Sequence, residues 1–234
     1  MAKTLNLKKE EFLKFLQSLG KINDTSIFSV KEDRIEALSS SDDNSMCLLA
    51  TLKGEFETMI LNIPSVGKLA KLIKLVPNDN ISLMVKNNHL EYKEDGFKFK
   101  YHLHDDGILT RPKLSSEKIR SFVYPTEFGV TPEAFSALVK KIAIIRSPKL
   151  YVYGEDGNVM WAFEDRTTLL SDSLTIKGGE VDNDFDEFIT KTDNLSLITL
   201  CGDLMRFRIA DFCGNVSIDF GDLSLEYIIL SLQK

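Results

Sequence analysis

TPEAFSALVKKIAIIR, residues 131–146, is the stretch from which the fold can be read. Thr131 is a good N-cap, because its hydroxyl can accept one of the N–H groups that a helix leaves unpaired in its first turn. Pro132 follows where a missing N–H costs nothing. Phe135, Leu138, Val139, Ile142 and Ile145 then recur at helical spacing, with Lys140 and Lys141 on the far side of the cylinder. The spacing predicts an amphipathic helix with one apolar and one basic face. LKKEEFLKFLQSLG, residues 7–20, repeats the layout: Phe12, Phe15, Leu16 and Leu19 form the stripe, Lys14 and Lys21 lie opposite, and Gly20 is expected to end the helix. A third helix is expected over Ser65 to Val76, stopped by Pro77, with Val66, Leu69, Ile73 and Val76 on one side and Lys68, Lys71 and Lys74 on or beside the other.

Short alternating runs surround these helices. Ser26 to Lys31, Arg34 to Ser39 and Met46 to Lys53 are separated by turn-forming residues and read as antiparallel strands, as do Phe56 to Leu61, Ile81 to Lys86, Leu90 to Lys93 and Phe97 to His104. Asp105 to Phe122 holds Gly, Pro and Ser without sustained periodicity and reads as a connector. After it come strands at Glu127 to Val130, Lys149 to Tyr153, Val159 to Glu164, Thr167 to Ile176 and Phe185 to Thr190. A short helix is expected over Asn194 to Leu200, then strands Leu204 to Ala210, Asn215 to Phe220 and Ser224 to Leu232. The order of elements is the same in both halves. Phe12 and Phe135 are 123 positions apart, and so are Glu32-Asp33 and Glu155-Asp156. The chain is expected to be a duplicated α+β protein, with domains 1–104 and 123–234 joined by the connector 105–122.

Composition narrows the function classes. With 234 residues and 43% hydrophobic side chains the chain can bury a sizeable core. Its net charge of −6 gives no global attraction to nucleic acid, so such binding needs the 29 Lys and Arg gathered on one surface. Cys47, Cys201 and Cys213 fit neither a disulfide framework nor a metal spacing and read as core thiols in a reducing compartment. With no signal peptide and no long apolar run, a soluble, intracellular protein without membrane contact is expected. His102 and His104 share a strand face but have no evident third metal ligand, and Asp182, Asp184, Asp186 and Glu187 read as a solvated loop rather than a calcium site. No nucleophile elbow, phosphate loop or paired-carboxylate motif is present, so neither catalysis nor a cofactor is expected.

LNLKKEEFLKFLQSLGKI, LNIPSVGKLAKLIKLV, FGVTPEAFSALVKKIAII and the closing LSLEYIILSLQK carry a resemblance that covers essentially the whole chain. In element order, duplication and charge placement the chain resembles the sliding DNA clamps, processivity factors of DNA polymerases, and looks most like those of large tailed phages. The resemblance implies a homotrimeric ring with helices lining a central hole and sheets forming an acidic outer wall. Such a ring holds a polymerase on duplex DNA, is placed there by a clamp-loader ATPase complex, and would work in the host cytoplasm if phage-encoded.

On this resemblance Lys14, Lys21, Lys68, Lys71, Lys74, Lys140 and Lys141 would line the bore and meet phosphates without reading bases. The fourth helix, NLSLITL, has no basic residue, and only the nearby Lys191 offers a charge. Copies would join head to tail through edge strands, Leu169 and Leu170 meeting Phe99 and Tyr101. Hydrophobic tails of partners would dock beside the connector and the chain's end, at Ile108, Leu109, Leu114, Ile229 and Leu232. The alternative is a duplicated scaffold or a small-molecule enzyme whose lysine faces are merely solvated, because lysines opposite an apolar stripe are what any surface helix shows.

Overall fold

The computed structural model describes residues 3–94, 96–110, 112, 114–167 and 172–232. The first set of elements is β1 (Lys3–Lys8), α1 (Lys9–Ile22), β2 (Ser26–Val30), β3 (Arg34–Ser40), β4 (Met46–Lys53), β5 (Met59–Ile63), α2 (Val66–Leu75), β6 (Asn80–Val85), β7 (His89–Glu94) and β8 (Phe97–His102). A short α3 (Ser116–Arg120) follows. The second set is β9 (Thr126–Val130), α4 (Pro132–Ile145), β10 (Lys149–Glu155), β11 (Asn158–Phe163), β12 (Leu174–Glu180), β13 (Phe188–Lys191), α5 (Asp193–Leu197), β14 (Met205–Ile209), β15 (Cys213–Phe220) and β16 (Leu223–Leu230).

Strand pairing repeats with the element order. Hydrogen-bonded neighbours run β1-β6-β7-β8 and β5-β2-β3-β4 in the first set, and β9-β14-β15-β16 and β13-β10-β11-β12 in the second. Each strand thus pairs as does the strand eight places later, which makes the chain a duplicated α+β fold with antiparallel ladders. Two compact units result: Met1–Ser41 with Leu48–Ser116 and Phe220–Leu225, and Asp42–Cys47 with Glu117–Asp219 and Glu226–Lys234.

In the first unit the apolar stripes of both helices are buried: Phe12, Phe15, Leu16 and Leu19 of α1, and Val66, Leu69 and Ile73 of α2, are each no more than 1% exposed. Gly20 does not end α1. The helix runs on to the buried Ile22, and Gly20 lies where α1 passes α2, a Cβ added there standing 3.9 Å from the Gly67 nitrogen. Asp24 then ties the two helices. Its carbonyl accepts from the Val66 N–H at 2.6 Å and its carboxylate from the Gly67 N–H at 2.7 Å, beside the Ser65 hydroxyl that accepts from Lys68. Three donors at the start of α2 are satisfied in this way.

The second unit is built round Trp161, which is 1% exposed and packs edge-on against Phe128 and Phe207. Gly178 permits this, since a Cβ there would stand 2.0 Å from the indole Nε1. Thr131 caps α4 with its hydroxyl accepting from the Ala134 N–H at 3.2 Å, and Pro132 occupies the first turn, as expected. The β10–β11 hairpin turns on Asp156 and Gly157, both at positive φ, and the Asp184 carboxylate accepts from both N–H groups. Three expectations are corrected. The connector contains α3, which forms because Ile119 finds a buried site. Of the strand expected over Thr167 to Ile176, residues 168–171 lie outside the described residues, and the described strand is β12, Leu174–Glu180. The strand expected over Phe56 to Leu61 is β5, Met59–Ile63. Apolar alternation marks that a strand exists better than where it ends.

Candidate nucleic-acid interface

The helices present their lysines as expected. Lys68, Lys71 and Lys74 are exposed on α2, which has no acidic residue of its own, and Lys140 and Lys141 are exposed on α4, where the nearest acid is Glu133 in the first turn. Lys21 is exposed and Lys14 half-buried on α1. Among the described residues no carboxylate pairs with Lys68, Lys71, Lys74, Lys140 or Lys141. Cations elsewhere behave differently. Lys31 meets Glu36 at 2.6 Å, Arg34 meets Glu36 at 2.9 Å, and Arg166 grips Glu187 at 2.8 Å while stacking over the Tyr151 ring at 3.9 Å. Lys68, Lys71, Lys74, Lys140 and Lys141 therefore keep their charge toward solvent and can exchange one anion for another at little cost.

α5, the counterpart of α2 in the second set of elements, spans five residues and is bare of cations. Lys191, the nearest, is bound to Asp43 and is thus paired with a carboxylate 148 residues away in sequence.

The edge strands are partly as expected. β8 and β12 are end strands of their sheets among the described residues. Phe99 and Tyr101, however, are 8% and 2% exposed, packed into the first unit, and the Tyr101 hydroxyl accepts from the Ser65 N–H and donates to the Ser65 carbonyl. The idea that they fill a joint between copies is corrected, because strand alternation turns Lys98, Lys100 and His102 outward instead. Leu169 and Leu170 lie outside the described residues. Burial pushes the Tyr101 phenol up to about 12, its bond to the Ser65 backbone working in the opposite direction.

The expected partner residues separate in the same way. Ile108 is 58% exposed, and Leu109 and Leu114 are half-buried. Ile229 is buried, and Leu232 packs on a cluster of Tyr151, Ala162 and Ile189, its N–H donating to the Ile189 carbonyl at 2.7 Å. Ile229 is therefore removed as a free anchor. In its place the second unit shows an apolar patch that periodicity missed: Val123 is 81% exposed, Phe212 56% and Leu230 46%. Phe122 stands edge-on to Phe212 at 5.5 Å, the Ser231 N–H donates to the Phe212 carbonyl, and Tyr124, beneath, faces Cys213 and Arg208. Burial raises both the Tyr124 phenol and the Cys213 thiol. The available signal was a phenylalanine in a hairpin turn, Asp211-Phe212-Cys213, where a polar residue is usual.

Among the described residues no group of three or more His, Cys, Asp or Glu is placed to hold a metal ion. His102 faces His89 across the ladder, ring centroids 5.9 Å apart, rather than pairing with His104. Among the same residues no helix is long and apolar enough to cross a membrane.

No protein-family model matches the chain, and no curated protein matches it in sequence. Among solved structures it is similar to the PCNA of A. fulgidus bound to the C-terminal region of FEN-1, with a TM-score of 0.82 and 12% identity over 99% of either chain. It is equally similar to the PCNA of Entamoeba histolytica, with a TM-score of 0.82 and 13% identity over 100% of both chains. From its first strand to its last, the chain has the duplicated α+β fold of the PCNA sliding clamps.

Proposed function

We propose that the chain is a sliding clamp. Three copies close into a ring round duplex DNA, and the ring tethers a DNA polymerase after a clamp-loader ATPase complex has placed it. It is a scaffold and not an enzyme, with clamp domains over 1–104 and 123–234 joined by 105–122. The observation that carries this is the set of exposed helical lysines without carboxylate partners, in a fold shared over full length with sliding clamps. Lysines on flexible stems bind phosphates without sequence preference and let them exchange, which a sliding contact requires. Lys68, Lys71 and Lys74 of the first unit and Lys140 and Lys141 of the second supply such contacts, and so do Lys14 and Lys21.

Partner tails dock on the second unit through Val123, Phe212 and Leu230. Water-exposed side chains of this size are costly unless covered part of the time, and one of the structural neighbours named above is bound to the C-terminal region of FEN-1. The likeness to clamps of large tailed phages rests on the sequence stretches quoted above.

Light scattering and primer extension on a singly primed circular template test the function. A three-chain mass and longer products in the presence of the protein are expected. Replacing Lys71, Lys140 and Lys141 together by alanine should leave the mass unchanged and abolish the gain in product length. A single-chain mass, or stimulation indifferent to the triple substitution, would favour the solvated-scaffold reading.

A further inference from the structure

The lysine-bearing helices α1, α2 and α4 all have their positive ends guarded, and α2 borrows the guard from outside itself. A helix N-terminus presents fixed, unpaired N–H groups and a partial positive charge, which makes it a ready cradle for a phosphate. In α1 the Lys9 N–H donates to the Asp79 carbonyl at 2.7 Å, and Glu10 and Glu11 stand in the first turn. In α4 Pro132 has no N–H, the Thr131 hydroxyl accepts from the Ala134 N–H, and Glu133 stands in the first turn. α2 has no acidic residue along its length. Its first N–H groups are taken by Asp24, in the loop between α1 and β2: the Asp24 carbonyl accepts from Val66 at 2.6 Å and its carboxylate from Gly67 at 2.7 Å. Glycine suits position 67, because a Cβ there would stand 3.0 Å from the carboxylate oxygen.

An anion therefore already lies at the start of α2, and it lies where solvent reaches: Asp24 is exposed, and so is Lys68, one position beyond Gly67. The two kinds of donor treat a phosphate differently. A lysine stem follows it as it moves, whereas backbone N–H groups at a helix start hold an anion in one place through short, charge-assisted bonds. A contact that must shift along a duplex is served by the first kind and hindered by the second.

We infer that Asp24 is an internal substitute for a phosphate, which keeps DNA phosphates off the fixed donors of α2 and leaves the duplex to the mobile lysines. This rests on the clamp reading proposed above and adds to it a residue that tunes the DNA contact without touching DNA. In α1 and α4 the helices' own acids, with Pro132, have the same effect. Excluding an unwanted contact by filling its place is a form of specificity.

Two substitutions separate the filling of the donors from the charge that fills them. D24N removes the charge but keeps an oxygen for the Gly67 N–H, whereas D24A frees that donor. On titration with inorganic phosphate, the Gly67 amide resonance should move in D24A and stay in place in the wild type and in D24N. In fluorescence anisotropy with a short duplex across a salt series, the slope of log affinity against log salt should be steeper by about 0.9 in D24A than in D24N, the mark of one further phosphate contact. P132A/E133Q opens α4 without disturbing Asp24, and its slope should be steeper than that of E133Q alone, which keeps the inference testable should D24A fail to fold. A folded D24A whose Gly67 amide ignores phosphate overturns the inference and leaves the clamp reading standing. So do equal slopes in D24A and D24N or, with D24A unfolded, in P132A/E133Q and E133Q. A wild-type chain with no salt-dependent affinity for the duplex overturns the clamp reading and this inference with it.

Discussion

Tyr101 on β8 and Tyr227 on β16 occupy corresponding places in the two units, and both reach a backbone group beside the second helical element. Tyr101 holds Ser65, at the start of the ten-residue α2, while the Tyr227 hydroxyl accepts from the Thr199 N–H at 3.0 Å, just past the five-residue α5. The anchor is kept and the helix it anchors is not. In the first unit the anchor, Ser65 and Asp24 together secure a lysine-rich helix. In the second, α5 buries Asn194 and Leu195, the Asn194 amide bonds Thr190 and its carbonyl accepts from Ser45, and no cation is presented. A duplicated fold can thus keep its packing points while dropping a charged surface, because packing depends on buried residues and the surface does not.

The largest effects should fall on what the two units share. Phe12→Ala and Phe135→Ala each empty a position that is 1% exposed in the corresponding helix, and each should cost about 3–5 kcal/mol in chemical denaturation. A cost below about 1 kcal/mol for either would show that the two helices are not packed alike.

The anchors should come next. Tyr101→Phe and Tyr227→Phe keep the ring and remove the hydroxyl, leaving a backbone N–H short of its acceptor, at about 1–3 kcal/mol apiece. Hydrogen exchange should rise at Ser65 in the first variant and at Thr199 in the second. The two changes should not spread to each other's sites.

Tyr101 also sets an alkaline limit. Its phenol, raised from 10 to about 12 mainly by burial, stays protonated in the folded chain where an unfolded chain would ionise it. Its contribution is therefore complete below pH 10 and is lost as pH rises from 10 toward 12. Urea midpoints followed through that window should fall less steeply in Tyr101→Phe than in wild type. An identical fall would assign the alkaline loss to other groups.

The smallest effect bears on the surface that the units do not share. Each lysine lost from α2 or α4 should reduce the slope of log affinity against log salt by about 0.9 for duplex DNA. Ser196→Lys, at an exposed position of α5, should add at most one such contact and make the second unit more like the first. Fluorescence anisotropy with duplex DNA across a salt series reads both changes. An unchanged slope in Ser196→Lys would place α5 away from the DNA.

What the sequence determined by itself was local. The period of 3.6 in residues 9–22, 66–75 and 132–145, the cap at Thr131-Pro132 and the alternating strands follow from spacings of two to four residues, and the repeat of their order follows from comparing the halves at an offset of 123. They sufficed for the duplicated α+β fold and for which helix faces carry lysine. Tertiary structure alone decided what depends on residues far apart in the chain. Gly20 lies within α1 where α2 passes it, and Lys191 is paired with Asp43, 148 residues away. Phe122 and Phe212 meet because Tyr124 and Cys213, 89 apart, are packed together. Phe99 and Tyr101 belong to a core and not to an edge because the first unit fills the inner side of β8. A sequence period states that a face is apolar, and only the packed chain states what covers that face.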